Sequence, residues 1–196
     1  NFGIDNRAGH FYSLSGAWLA SNEEFLRGSK YLTNLKLRAS YGTNGKVAGE
    51  DFLTESFYNF NYQYGGDPAA IINQLGNRQI TWERAYVTNL GIDLSLFNRI
   101  NFSADFYRKN NQDLLQRISV SSLFGVPSQY QNFGAMLNKG MELVLSSKNL
   151  TGEFTWETSF NLTLNKNKVT KLYGGNISLE YAGIIKKGED IGEVCA

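Results

Sequence analysis

Glu153-Phe154-Thr155-Trp156-Glu157-Thr158-Ser159-Phe160-Asn161-Leu162-Thr163-Leu164-Asn165 alternates in character for thirteen residues without a slip. That is the period of a β-strand and not of a helix. One face carries Phe154, Trp156, Thr158, Phe160, Leu162 and Leu164, and the other Glu153, Thr155, Glu157, Ser159, Asn161, Thr163 and Asn165. At roughly 3.3 Å per residue the run covers about 40 Å, well beyond the usual globular strand and enough to cross a bilayer while tilted.

Upstream segments repeat the pattern. From Trp82 to Leu96, Leu90, Ile92, Leu94 and Leu96 alternate with Asn89, Gly91, Asp93 and Ser95; then Ile100, Phe102, Ala104 and Phe106 alternate with Asn101, Ser103 and Asp105. Opposed residues of a hairpin share a face, so Leu96 is expected opposite Ile100, Leu94 opposite Phe102 and Leu90 opposite Phe106. This leaves Phe97-Asn98-Arg99 as a three-residue loop, with Asn98 expected in the left-handed region. A second hairpin joins Met141, Leu143 and Leu145 to Phe154 and Trp156, which requires Ser147 opposite Gly152 and a loop of Lys148-Asn149-Leu150-Thr151. Leu35–Tyr41 and Tyr12–Trp18 alternate as well, giving about six long strands.

The connections fall into two kinds. Two are tight, after Leu96 and after Ser147, whereas about forty residues separate Tyr41 from Trp82 and about twenty separate the Gln116 region from Gly140. Counting strands alternately down and up puts the tight turns on one rim and the long connections on the other, as in outer-membrane barrels. Trp82, Tyr86, Tyr107 and Trp156 stand near strand ends, where an interfacial aromatic girdle belongs. The expected fold is therefore all-β: antiparallel up-and-down strands with long outer loops, a partial transmembrane β-barrel. A soluble antiparallel sandwich, serving as a glycan-binding or adhesin module, has the same periodicity and is the alternative.

Composition agrees. Only two of 196 residues are proline and 14% are aromatic, a balance that favours strands. Nineteen Lys+Arg against eighteen Asp+Glu, with no basic block, argues against nucleic acid as a partner. The single cysteine, Cys195, and single histidine, His10, exclude a disulfide framework and a Cys/His metal site, and no cofactor is expected. Asn1–Asp5 lacks a basic and apolar leader pattern, and no apolar run reaches the length of a membrane helix, so a membrane would be met by strands.

Several motifs then resemble, in order, those of the SusC/RagA branch of TonB-dependent outer-membrane transporters. Leu35–Gly45 (LKLRASYGTNG) looks like the family's LKLRASYGxTGN segment. Ile80-Thr81-Trp82-Glu83 with Thr88–Asp93 is similar to LKWE…NxGLD, and Asp105-Phe106-Tyr107 with Asp113-Leu114-Leu115 to DYY…DLL. Asn132–Met136 with Asn138–Leu143 resembles NxGxMxNKGxEL, and Asn165–Leu172 resembles NKNKVTKL. The Asn-Pro that usually precedes LKWE is replaced by Asn77-Arg78-Gln79, and the sequence from Gly188 to Ala196 departs from the family's continuation. The resemblance implies a non-enzymatic importer in the cell outer membrane. It would take up oligosaccharides or peptides, draw energy through the TonB complex, and carry a SusD-like surface lipoprotein as its lid. Residues 1–196 would then form part of the barrel region, with the plug domain and barrel closure outside them, because six strands are too few to close a bacterial barrel.

Catalysis is not expected. Glu153 and Glu157, four strand positions apart, stand about 13 Å from each other, beyond glycosidase spacing. Asp93 and Asp105 are diagonal neighbours at roughly 7 to 8 Å, but on an open polar wall with no desolvation to separate their acidities. His10 has no serine or acid to complete a triad and reads as a loop or interfacial residue. In the long outer connection, Phe57–Gly66 interleaves aromatic and amide residues, and Tyr58, Tyr62 and Tyr64 are the candidate ligand contacts. The plainer alternative is that these tyrosines extend a strand above the membrane and pack on neighbouring loops.

Overall fold

A computed structural model describes residue 6 and residues 8–47, 49, 51–172, 176–179 and 183–188. Asn1–Asp5 and Cys195 lie outside the described residues. Among the described residues ten strands follow in chain order: β1 Ser13–Leu19, β2 Leu32–Lys46, β3 Phe57–Tyr64, β4 Asp67–Gln74, β5 Glu83–Leu96, β6 Ile100–Ser119, β7 Ser128–Thr151, β8 Thr155–Lys171, β9 Asn176–Leu179 and β10 Gly183–Lys186. Six of them build one antiparallel sheet in the order β1-β2-β5-β6-β7-β8, while β3–β4 and β9–β10 form separate two-stranded ribbons. The sheet is an up-and-down meander once β3 and β4 are recognised as an insertion between its second and third strands.

The β5–β6 register follows from parity, with Leu96 opposite Ile100, Leu94 opposite Phe102 and Leu90 opposite Phe106. The turn differs in detail. Phe97 and Asn98 both take φ of 55°, and Arg99 N donates to Leu96 O at 3.0 Å. Two left-handed residues make the mirror-image turn whose twist suits a hairpin. The bulky Phe97 is held there by its neighbour on the same rim: its N–H donates to Tyr31 O at 2.8 Å and its ring meets that of Tyr31 at 5.4 Å.

The β7–β8 hairpin turns later than expected. Ser147 faces Thr158, not Gly152, and the connection is Gly152-Glu153-Phe154. Residues 148–151 belong to β7, and a bulge between Lys148 and Leu150 brings Leu150 opposite Trp156. Alternation determines register only to within an even number of residues. The observed pairing keeps both faces while setting Leu145 against Phe160, Leu143 against Leu162 and Met141 against Leu164.

The outer connections also differ. β6 runs for 20 residues and β7 for 24, so only residues 120–127 join them, where about twenty unpaired residues were expected. At about 3.3 Å per residue these strands extend some 65 to 80 Å, far beyond a hydrocarbon core of about 30 Å. A two-residue bulge at Gln112-Asp113, with Asp113 at φ 56°, carries the pair past the point where simple alternation fails.

The sheet is a single layer. Its apolar face leaves Leu14, Leu90, Phe160 and Leu164 more than half exposed, and among the described residues no second sheet or helix covers them. A soluble sandwich would bury that face against a second layer. Most of the buried apolar residues, Leu53, Ile80, Ile118 and Val126 among them, belong instead to the long connections or the outer strand ends. Tyr12, Tyr41 and Tyr86 lie on the apolar face toward that end, and Trp156 near the opposite rim. Tyr107 does not join the girdle, because it shares the parity of Asp105 and projects from the polar face.

Candidate functional site: a polar inner wall and an aromatic outer hairpin

Opposite the apolar face, alternation delivers Ser40, Arg38 and Lys36 from β2, Asn89, Gly91 and Asp93 from β5, and Tyr107, Asp105 and Ser103 from β6. Asp93 and Asp105 do not confront each other as an acid pair. Both grip one guanidinium: Arg38 Nε lies 2.8 Å from Asp93 Oδ2, and Arg38 Nη1 lies 3.0 Å from Asp105 Oδ1. Arg38 Nη2 donates at 3.0 Å to each carboxylate, and Ser103 Oγ donates to Asp93 Oδ1 at 2.9 Å. A planar fork that satisfies two carboxylates at once is what arginine does and lysine cannot.

The sequence makes room for this at Gly91, which lies between Arg38 and Asp105 across three strands. A Cβ on Gly91 would stand 2.7 Å from Arg38 Cζ and 2.7 Å from Asp105 Oδ1. The same device recurs one row along, where Tyr107 lies across Gly140 and donates to Asn165 Oδ1 at 3.0 Å on β8. Arg38, Gly91 and Asp105 line a cleft of about 350 Å³ with Ser15, Ser40 and Asn89. Open, and carrying the fixed charges of Arg38 and Asp105, it suits a hydrated passage rather than a desolvated reaction centre.

The remaining acidic candidates separate. Glu153 falls in the turn, and Glu157 sits on β8, 4.0 Å from Lys148 Nζ. His10 is exposed and lines a cleft with Arg84 and Tyr86 at the outer part of the apolar face. No cluster of three or more potential metal ligands occurs among the described residues.

Tyr58, Tyr62 and Tyr64 all lie on β3, in the hairpin above the outer end of the sheet. Gly65 and Gly66, at φ 62° and 95°, make the two-residue turn that closes it. The tyrosines stay exposed, Tyr64 at 85%, and Phe60 between them at 73%. Phe60 was not singled out in the sequence, although its place in the same aromatic run marks it as an equal candidate.

An isolated two-stranded ribbon is marginal on its own, and amide side chains moor this one. Gln74 Nε2 donates to Phe52 O at 3.0 Å, Gln129 Nε2 to Gly76 O at 2.9 Å, and Asn77 Nδ2 to Tyr130 O at 2.9 Å. Asn132 closes the latch. Its Oδ1 accepts from Thr81 N at 2.9 Å, and its Nδ2 donates to Thr81 O at 2.9 Å and Asp113 O at 2.7 Å. Nothing in alternation marks these amides, because they serve irregular backbone that periodicity does not describe.

The profile of the family described as TonB dependent receptor-like, beta-barrel, matches residues 4–190. The chain belongs to the TonB-dependent receptor β-barrel family. It is 36% identical to TonB-dependent receptor P3 of Formosa agariphila over 181 residues, and 34% identical to TonB-dependent receptor SusC of Bacteroides thetaiotaomicron over 190. These alignments cover 90% and 92% of this chain but 18% and 19% of the relatives, so the chain spans about a fifth of their length. Among solved structures it is similar to a chain of the RagAB peptide importer in its closed-closed and open-open states, with TM-scores of 0.83 and 0.82. Both are 30% identical and cover 95% of this chain and 21% of that one. Membership in a receptor barrel family, and not any missing side chain, sets this TonB-dependent receptor segment apart from enzymes.

Proposed function

We propose that residues 1–196 are one arc of the barrel wall of an active importer in the outer membrane, energised through TonB. Its nutrients are oligosaccharides or peptides, and a SusD-like surface lipoprotein serves as its lid. The observation that carries this reading is the single-layer sheet, whose two faces demand two solvents. Its apolar face is uncovered and its polar face is crossed by a charge cluster, the division expected between lipid and a hydrated lumen. The similarity to SusC and to the RagAB peptide importer supports the choice of nutrient class and of partner.

Within that reading, Tyr58, Tyr62 and Tyr64 form the outer contact surface for the incoming nutrient, with Phe60 beside them. Exposed aromatic faces on a moored hairpin stack on sugar rings or peptide side chains while losing little side-chain freedom. The test is uptake of labelled oligosaccharide and labelled peptide by cells bearing the intact transporter, with and without TonB. Uptake of one class that needs TonB and falls in a Tyr58→Ala/Tyr62→Ala/Tyr64→Ala variant supports the proposal. TonB-independent entry of both would overturn it.

A further inference from the structure

The six-stranded sheet sorts its acids by face. Glu83, Asp93, Asp105, Glu142 and Glu157 all share the inward parity of Arg38. On the outward face the apolar belt ends in the row Leu90, Phe106, Met141 and Leu164. One row closer to the long connections, Arg108 stands directly opposite Lys139, and Lys139 directly opposite Lys166. Lys168 follows on β8, and all four are exposed.

Like charges directly across neighbouring strands repel, and here three stand in an unbroken row. Among the described residues the ion pairs are Arg38–Asp93, Arg38–Asp105 and Lys148–Glu157, none of which relieves this row. Asp113 lines the adjoining cleft with Arg108 and forms no ion pair with it. An uncompensated cationic row just beyond an apolar belt stands where lipid headgroups lie, and long basic side chains bury their stems in that belt while presenting charge outward.

We infer that Arg108, Lys139 and Lys166 dock the phosphate groups of an anionic outer-leaflet glycolipid of the lipid A type. The arginine fork takes two phosphate oxygens at one end of the row, and Lys139 and Lys166 act as point charges along it. The inference rests on the barrel-wall reading, since only a lipid-facing outward surface brings headgroups to this row. A phosphorylated nutrient in the lumen would meet the opposite face.

The test is native mass spectrometry of the intact transporter in detergent, titrated with bisphosphorylated lipid A and with the same lipid after its phosphates are removed. Heat-modifiable electrophoretic migration reports the folded barrel in parallel. The native protein should bind the phosphorylated form about a hundredfold more tightly, and Arg108→Gln/Lys139→Gln/Lys166→Gln should lose that preference. The charge-preserving Arg108→Lys/Lys139→Arg/Lys166→Arg variant and the inward-facing control Lys36→Gln/Lys109→Gln should keep it. If the triple glutamine variant does not fold, Lys139→Gln alone, at the centre of the row, should weaken binding about fivefold. A folded, heat-modifiable barrel in which the glutamine variants still prefer the phosphorylated lipid overturns the docking site and leaves the wall intact. A native protein that folds without detergent and shows no heat-modifiable form overturns the wall, and the docking site with it.

Discussion

Arg38 on β2 reaches Asp105 on β6 by passing over the intervening strand at Gly91, and its Nη1 lies 3.0 Å from Asp105 Oδ1. The two Asp93–Arg38–Asp105 ion pairs thereby tie three consecutive staves of the sheet together on the inner face. The side chains are about one-third exposed, so water screens the pairs and their worth is that of a network at a surface, of the order of 1 kcal/mol.

Gly91→Ala is expected to cost about 1 kcal/mol, because the new methyl displaces the guanidinium from Asp105 while leaving β5 otherwise able to pair. A double-mutant cycle of Gly91→Ala with Asp105→Asn, read by urea unfolding of the intact barrel in lipid vesicles, checks it. Additive costs would mean that Gly91 does not act through Arg38.

The faces themselves are tested at adjacent positions on β8. Phe160 lies opposite Leu145 on the apolar side and Asn161 opposite Val144 on the polar side. Phe160→Arg should cost roughly 2 to 4 kcal/mol if it meets the bilayer near mid-depth, and Asn161→Arg little. Equal losses in the same unfolding measurement would refute the assignment.

These faces were legible in the sequence because a strand has a period of two. Parity alone placed Leu94 against Phe102 and put Asp93 and Asp105 on the polar face, as observed. It could not locate the β7–β8 turn, since registers six residues apart preserve the same faces, nor the ends of β6 and β7, where a bulge at Gln112-Asp113 resets the alternation. Arg38 was visible in the Leu35–Tyr41 alternation as a polar-face residue. Its hold on both carboxylates was not, because that depends on the missing side chain of Gly91 on the neighbouring strand, which opens the way to Asp105 one strand further on.

The outer latch should respond differently from the wall. Asn132→Ala removes three hydrogen bonds and leaves Thr81 N, Thr81 O and Asp113 O without that partner, at about 1 to 3 kcal/mol for each group left unsatisfied. The expected result is faster amide hydrogen exchange at Thr81 and easier proteolysis in residues 75–82, with the exchange of β5 residues 88–96 unchanged. Uniform acceleration across the sheet would show that Asn132 supports the wall itself.

For the hairpin, Tyr64→Ala removes an exposed ring at the turn and should leave barrel stability within about 0.5 kcal/mol. Nutrient affinity should fall about three- to tenfold, the worth of one aromatic contact. Isothermal titration of the intact transporter with the transported nutrient measures it, and unchanged affinity in Tyr58→Ala, Tyr62→Ala and Tyr64→Ala alike would remove these residues from the binding surface.

The most direct test of the barrel wall is residue-by-residue accessibility along β8. After Cys195→Ser, positions 158 to 164 of the intact protein in native membranes are replaced one at a time by cysteine and spin-labelled. Collision with oxygen dissolved in the lipid is then compared with collision with a water-soluble nickel chelate. Thr158→Cys, Phe160→Cys, Leu162→Cys and Leu164→Cys should favour oxygen, and Ser159→Cys, Asn161→Cys and Thr163→Cys should favour nickel. Nickel contact at all seven positions would contradict the account, because it would place the apolar face of the sheet in water.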